Sequence, residues 1–286
     1  MTNTFKTFGV SLALVALMGS CQKMDRPALG DYPTDGPRTT LPGDLRFFVP
    51  FGGTSPVSRM NMVDSIGKLP AFITNWTIGE GVTGVGAKGA DNSGIKYMDA
   101  NDWAQSKSFT VAFWEKNKVP TGGSPQWLFT LPSKDYWHQT AITAFIDHDG
   151  AGSTTSLATV KVILQDQWFE FTNANRMPGN LLNNQWHHMA FVYDQITSKL
   201  TYYVDGVALT GLPSNLTDVM KNGAPRGPMD FANTYNFIIG GWNKNVGLPG
   251  PTDSWIQSWQ GGLDQFRLYN KALSASEIQA LYSTKM

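Results

Sequence analysis

From Asp44 onward, apolar and polar residues alternate with a period of two in one short segment after another. In SFTVAFWEK, Phe109, Val111 and Phe113 alternate with Thr110, Ala112 and Trp114. That spacing puts each set on its own face of a strand. LTYYVDGVAL places Leu200, Tyr202 and Val204 on one face and then reaches Asp205-Gly206. A type I′ hairpin prefers this dipeptide because both of its turn residues take positive φ. Further strands are predicted at LRFFVPF (45–51), QWLFTL (126–131), TAITAFI (140–146), ATVKVIL (158–164), QWFEFT (167–172), HHMAFVYD (187–194) and NFIIGGW (236–242). Short strands at this spacing, with turn residues between them, predict one all-β domain over residues 44–286. Its expected form is a two-sheet antiparallel jelly-roll sandwich.

Helical periodicity enters only at the end of the chain. Phe266 and Leu268 alternate with Arg267 and Tyr269 as in a last strand with one buried face. Ser274 and Glu277 then form an S-x-x-E capping box, with Leu273 and Ile278 at the two staple positions. Ile278, Leu281 and Tyr282 make an i, i+3, i+4 apolar stripe, so a short C-terminal helix must lie on something.

Residues 1–43 follow another logic. Lys6 precedes the apolar run Phe8–Met18, and Gly19, Ser20 and Cys21 come next. The run is shorter than the roughly 20 residues a membrane-spanning helix needs, and it has the layout of a secretory signal peptide. Its end resembles a bacterial lipobox, with Met18 where that pattern prefers Leu. The resemblance implies a signal peptide over 1–20, lipidation of Cys21 and a mature N-terminus there. The other reading is an ordinary signal peptide with an incidental cysteine. QKMDRPALGDYPTDGPRTTLPG is rich in Pro, Gly and polar residues, so 21–43 is expected to be a flexible tether. The expected location is the cell envelope, lipid-anchored in the outer membrane of a Gram-negative bacterium, on its surface or periplasmic face.

Composition removes several functions. The 22 basic residues balance 22 acidic ones without a like-charged block, which argues against a nucleic-acid partner. A single cysteine excludes a disulfide framework and a cysteine-based zinc site. The 16 Phe, 10 Trp and 29 Gly supply the sheet-packing rings and turn formers of an all-β protein.

Taken in order, SFTVAFW, QWHHMAFVYD with LTYYVDG, FIIGG and GGLDQFRLYNKALSASEIQALY resemble the laminin G-like jelly roll of the concanavalin A-like lectin/glucanase superfamily. DLRFFVPFGG and VDSIGK are similar to that family's first strand and following loop. The resemblance spans about residues 44–284. It implies two curved sheets, often a structural calcium, and often carbohydrate or protein binding. Calcium would tie the loop after the first strand to the last strand, at Asp64 and Asp264. Gln265 stands where the family usually has a second acid, which weakens any two-carboxylate site there. The alternative is that Asp64 caps a turn and Asp264 bonds a neighbouring backbone N–H.

Catalytic motifs do not assemble. Retaining glycosidases place two carboxylates about 5 Å apart. The only glutamates are Glu80, Glu115, Glu170 and Glu277, which are scattered along the chain. Asp147 and Asp149 stand two apart in FIDHDGAG, where Gly150 and Gly152 favour a turn. GEGVTG and GVGAKG match G-x-G-x-x-G, yet they sit in a Gly-rich loop with no helix to follow. His187 and His188 point to opposite faces of a strand and cannot chelate one metal together. His188 is expected to be packed and hydrogen-bonded, and His138 has no assigned role. Neither G-x-S-x-G nor H-E-x-x-H occurs.

Tryptophan remains. Trp114 and Trp186 fall in predicted core strands. Trp137, Trp242, Trp255 and Trp259 lie in or beside loops rich in Asn, Gly, Asp and Gln, where flat rings beside polar groups suit a sugar. These four are the candidate carbohydrate contacts. The expected function is a lipid-anchored, non-catalytic module whose partner is a glycan or glycoconjugate. A glycoside hydrolase or polysaccharide lyase of the same superfamily and a protein-interaction scaffold in an envelope complex are the alternatives.

Overall fold

The computed structural model describes residues 43–52, 70–121, 124–133, 141–231 and 234–285, all within one compact unit, Pro37–Met286. The expected signal peptide, Cys21, all of the expected tether but Gly43, Asp64, Trp137 and His138 lie outside the described residues.

Two eight-stranded sheets make up the domain. The first contains β1 (Leu45–Val49), β3 (Thr77–Glu80), β4 (Val85–Lys88), β6 (Phe109–Lys116), β13 (His187–Asp194), β14 (Lys199–Val204), β15 (Val207–Ala208) and β20 (Gly262–Tyr269). Its order is β15-β14-β13-β6-β20-β4-β3, with β1 also on β20. The second contains β2 (Phe72–Thr74), β5 (Gly94–Tyr97), β7 (Gln126–Leu131), β8 (Ile142–Ile146), β10 (Val160–Leu164), β11 (Gln167–Phe171), β18 (Phe237–Ile239) and β19 (Gln257–Ser258). Its order is β11-β10-β8-β7-β18-β5-β2, and β19 joins β7 in parallel. Two short antiparallel pairs are also present: β9 (Leu157–Ala158) with β12 (Met177–Pro178), and β16 (Met220–Lys221) with β17 (Ala224–Pro225). The jelly-roll expectation holds.

The core lies between the two inner faces, as the alternation requires. Phe109, Val111 and Phe113 of β6 and Leu200, Tyr202 and Val204 of β14 share one buried cluster with Val160, Val162 and Leu164 of β10. Phe113 stacks on Phe266 at 5.1 Å and meets Phe129 and Phe191 edge-on at 6.0 Å. Such pairs add about 0.5–1.5 kcal/mol each beyond their area burial. Asp205 and Gly206 take φ of 50° and 79°, the two positive values of the predicted hairpin.

Two glycine segments depart from expectation. Residues 79–89, read as a Gly-rich loop, contain the end of β3, a tight turn and β4. A Cβ at Gly81 would lie 2.6 Å from an Asp264 oxygen, so the missing side chain admits the carboxylate. The strand at NFIIGGW ends early, at Ile239. Gly240 takes φ +71°, and a Cβ there would meet the Trp76 ring at 2.0 Å.

The C-terminal helix, Ala275–Ser283, begins with the expected reciprocal capping box. Leu273 and Ile278 join Ala112, Ala190, Val192 and Tyr203 on the outer face of the first sheet. Tyr282 stacks on Trp114 at 5.5 Å, which places Trp114 beneath the helix and outside the central core. Trp186 precedes β13 and is only half-buried, so it is not a core ring either.

Candidate carbohydrate-binding face

The outer face of the second sheet carries the chemistry. Because Val160, Val162 and Leu164 of β10 point inward, Lys161 and Ile163 point outward. Register then sets two rows. Glu170, Lys161, Phe145 and Trp127 stand side by side across β11, β10, β8 and β7, and Trp168 sits opposite Ile163. A bulge between Trp127 and Phe129 lets Leu128 and Phe129 both enter the core while Trp127 turns outward.

Most of this face is covered. Trp242 and Ile256, from the segment linking β18 to β19, pack with Trp127, Phe145 and Ile163 in a second buried cluster. What stays open are its margins. Trp255, 42% exposed, lies 5.8 Å from Trp127 at 45°. Trp127 stacks on Phe145 at 4.3 Å, and Phe145 meets half-buried Trp168 edge-on at 6.4 Å. Four rings therefore run in contact, with the two accessible ones at the ends.

A polar group lies along this row. Lys161 Nζ is 3.2 Å from Asp147 and 3.5 Å from Glu170, and it stands 5.9 Å above the Phe145 ring. His148 Nε2 is 3.4 Å from Asp147. Asp149 opens a short 3-10 turn closed by Gly152 at φ 89°, so the turn reading of FIDHDGAG holds.

Of the sequence candidates, Trp255 alone among the described residues offers an accessible ring. Trp242 and Trp259 are corrections: each is 0% exposed, and a ring with neither face open cannot stack on a sugar. Trp242 packs on Trp127 at 5.8 Å, while Trp259 belongs to the central core and donates its indole N–H to Gly262 O at 3.0 Å. Trp137 falls outside the described residues. Trp168 was missed, although its parity with Glu170 and opposition to Phe169 and Phe171 already marked an outward ring.

Asp264 is 1% exposed. One carboxylate oxygen accepts the Val82 N–H and the other the Gln265 N–H, both at 2.8 Å. Burial outweighs these bonds and pushes its pKa up to about 7. Gln265, at φ 46° in a bulge of β20, accepts from Arg267 through its backbone and side-chain oxygens. These contacts match the hydrogen-bonding alternative for Asp264. Among the described residues no group of three His, Cys, Asp or Glu could hold a metal. The proposed partner Asp64 is not among them.

The acids have structural positions. Glu115 is fully buried with both oxygens unbonded, and burial raises its pKa well above the usual carboxylate value. Glu80 pairs with Lys116, and Glu277 caps the helix and pairs with Lys271. Asp147 and Glu170 both pair with the Lys161 ammonium, at 3.2 and 3.5 Å. His187 bonds Asp205 and Asn183. His188 is packed against Trp114 as expected, but neither ring nitrogen has a hydrogen-bond partner, and burial lowers its pKa to about 3. That part of the expectation is corrected.

A family profile described as the Concanavalin A-like lectin/glucanases superfamily matches residues 89–279. No curated protein sequence matches. Among solved structures, the binding domain of Paraclostridial Mosquitocidal Protein 1 is similar with a TM-score of 0.52 and 15% identity, over 84% of this chain and 52% of that one. Domain 4 of AbnA, a GH43 extracellular arabinanase from Geobacillus stearothermophilus in complex with arabinotriose, gives 0.50 and 18%, over 84% and 98%. A Trypanosoma rangeli sialidase gives 0.50 and 17%, over 84% of this chain and 32% of its own. The chain thus spans about a third of the sialidase and half of the mosquitocidal chain. At these identities the likeness establishes the fold.

Proposed function

The chain belongs to the Concanavalin A-like lectin/glucanases superfamily, and from that premise we propose that it is a lipid-anchored envelope module that binds carbohydrate without cleaving it. Superfolds host many activities, so the site must carry the claim. The observation that carries it is the accessible Trp255 ring, held on buried Trp127 at the margin of a face that also presents Asp147, Lys161 and Glu170. A ring face stacks on sugar C–H groups while the charged groups bond hydroxyls. The arabinotriose complex of the similar arabinanase domain supports a glycan as ligand class. Anchoring through Cys21 supplies the envelope location, and Cys21→Ala should release the protein from the membrane fraction.

A glycan array probed with wild type and Trp255→Ala tests the binding claim. Loss of one stacked ring should weaken binding by about 1–3 kcal/mol. Unchanged binding by a folded Trp255→Ala protein would move the site elsewhere. Failure with every glycan, together with capture of an envelope protein, would favour the scaffold alternative.

A further inference from the structure

We infer that the glycan site is an extended one, running from Trp255 to Trp168, and that it selects uncharged oligosaccharide chains over acidic ones. The inference rests on the proposed carbohydrate-binding function and names its ligand class.

Length follows from the ring row. Trp168 and Trp255 are joined by centroid steps of 6.4, 4.3 and 5.8 Å through Phe145 and Trp127. The two middle rings are almost wholly buried, at 2% and 0% exposure, so the outer rings are held on a packed support. Such preorganisation removes much of the ordering cost of binding. A single sugar ring can contact one tryptophan. A chain can contact both, and the second contact then becomes intramolecular, which raises affinity without any new chemistry.

Charge follows from the polar residues between them. Lys161 is bridged to Asp147 and Glu170, so its ammonium already faces two carboxylates of its own protein. Asp147 is itself buried, at 7% exposure, and is fixed by the His148 N–H at 3.0 Å as well as by Lys161. At the Trp255 end, Lys244 donates to the Asp253 backbone oxygen. With Asp149 beside His148 and Asp253 beside Lys244, the local acids number four, against Lys161, Lys244 and an Arg176 turned to the Gly152 and Asn173 carbonyls. A uronate or sialate would meet like charge, while hydroxyls find both donors and acceptors.

The test is titration calorimetry with dimer-to-hexamer ladders of cello-, xylo-, malto- and arabino-oligosaccharides, and with oligogalacturonate and sialyllactose as acidic probes. Wild type should gain affinity with chain length on at least one neutral ladder. Trp168→Ala should lose about tenfold on the longest chains and little on the dimer, and Trp168→Tyr, which keeps a ring, should recover most of it. Asp147→Asn with Glu170→Gln should narrow the gap between neutral and acidic probes. A length series unchanged in a folded Trp168→Ala protein, while Trp255→Ala abolishes binding, would overturn the extended site and leave the proposed function standing. Preference for an acidic probe would overturn the selectivity. Binding to no probe by wild type would overturn both the inference and the function beneath it.

Discussion

Replacing Asp264 by Asn leaves the shape of the side chain unchanged and removes its charge. In the wild type both carboxylate oxygens accept backbone N–H groups, from Val82 in the β3–β4 turn and from Gln265 in β20. An amide has one acceptor, so one of these N–H groups would face an NH2. An unsatisfied buried donor costs about 1–3 kcal/mol. The opposing effect is electrostatic. Burial raises the Asp264 pKa from 3.8 to about 7, a rise worth about 4 kcal/mol at roughly 1.36 kcal/mol per pH unit. The sign is that of a raised acid. The folded state keeps a proton that the unfolded chain releases, so this group's contribution is complete below pH 4, falls as pH rises, and levels off above 7. The Asp264→Asn side chain has no proton to lose and would show no such fall. Urea unfolding at constant ionic strength should therefore find Asp264→Asn less stable than wild type near pH 4.5, with the gap closed or reversed at about pH 8. A gap of equal size at both pH values would mean a carboxylate ionised throughout and would rule out the raised pKa.

Other consequences follow from single contacts. Glu115, buried without partners, should likewise lower stability as pH rises; Glu115→Gln should raise the melting midpoint at about pH 8 relative to wild type and change it little near pH 4.5. Ser274→Ala, which removes the helix cap, should cost about 1 kcal/mol in denaturant unfolding. The hydrogen bonds of Asp264 predict equal melting midpoints in millimolar calcium and in chelator. A higher midpoint in calcium, up to about 2.7 kcal/mol of stabilisation at a hundredfold excess over Kd, would return an ion to Asp64 and Asp264.

The strands were legible wherever a half-buried sheet imposes alternation, as in β6, β13 and β14, and wherever turn chemistry is explicit, as at Asp205-Gly206. The capping box specified the C-terminal helix because its donors and acceptors are local. What escaped depends on distant partners. Gly81, in the β3–β4 turn, and Gly86 of β4 leave room for the carboxylate of Asp264, far away in sequence. Trp242 and Trp255 stand in similar polar, glycine-rich surroundings, and only the fold-back of their segment onto β7 buries one and exposes the other. Trp168 was legible in principle through its parity with Glu170. Its neighbourhood with Phe145 was not, since two strands separate them in the chain and β10 lies between them in the sheet. His188 shows another limit: strand position foretold packing, but whether its nitrogens meet a partner depends on Trp114 and on Tyr282 of the terminal helix.

Binding and cleavage can be read in one vessel. The purified protein is incubated with the glycan that binds most tightly, the complex is followed by calorimetry, and the recovered sugar is assayed for new reducing ends and for the unsaturated ends a lyase leaves. With Lys161 paired to Asp147 and Glu170 and the remaining glutamates occupied or buried, a saturable complex and a chain of unchanged length are expected. Shortened glycan at a rate that Asp147→Asn or Glu170→Gln abolishes would contradict binding without cleavage and make this face an active site.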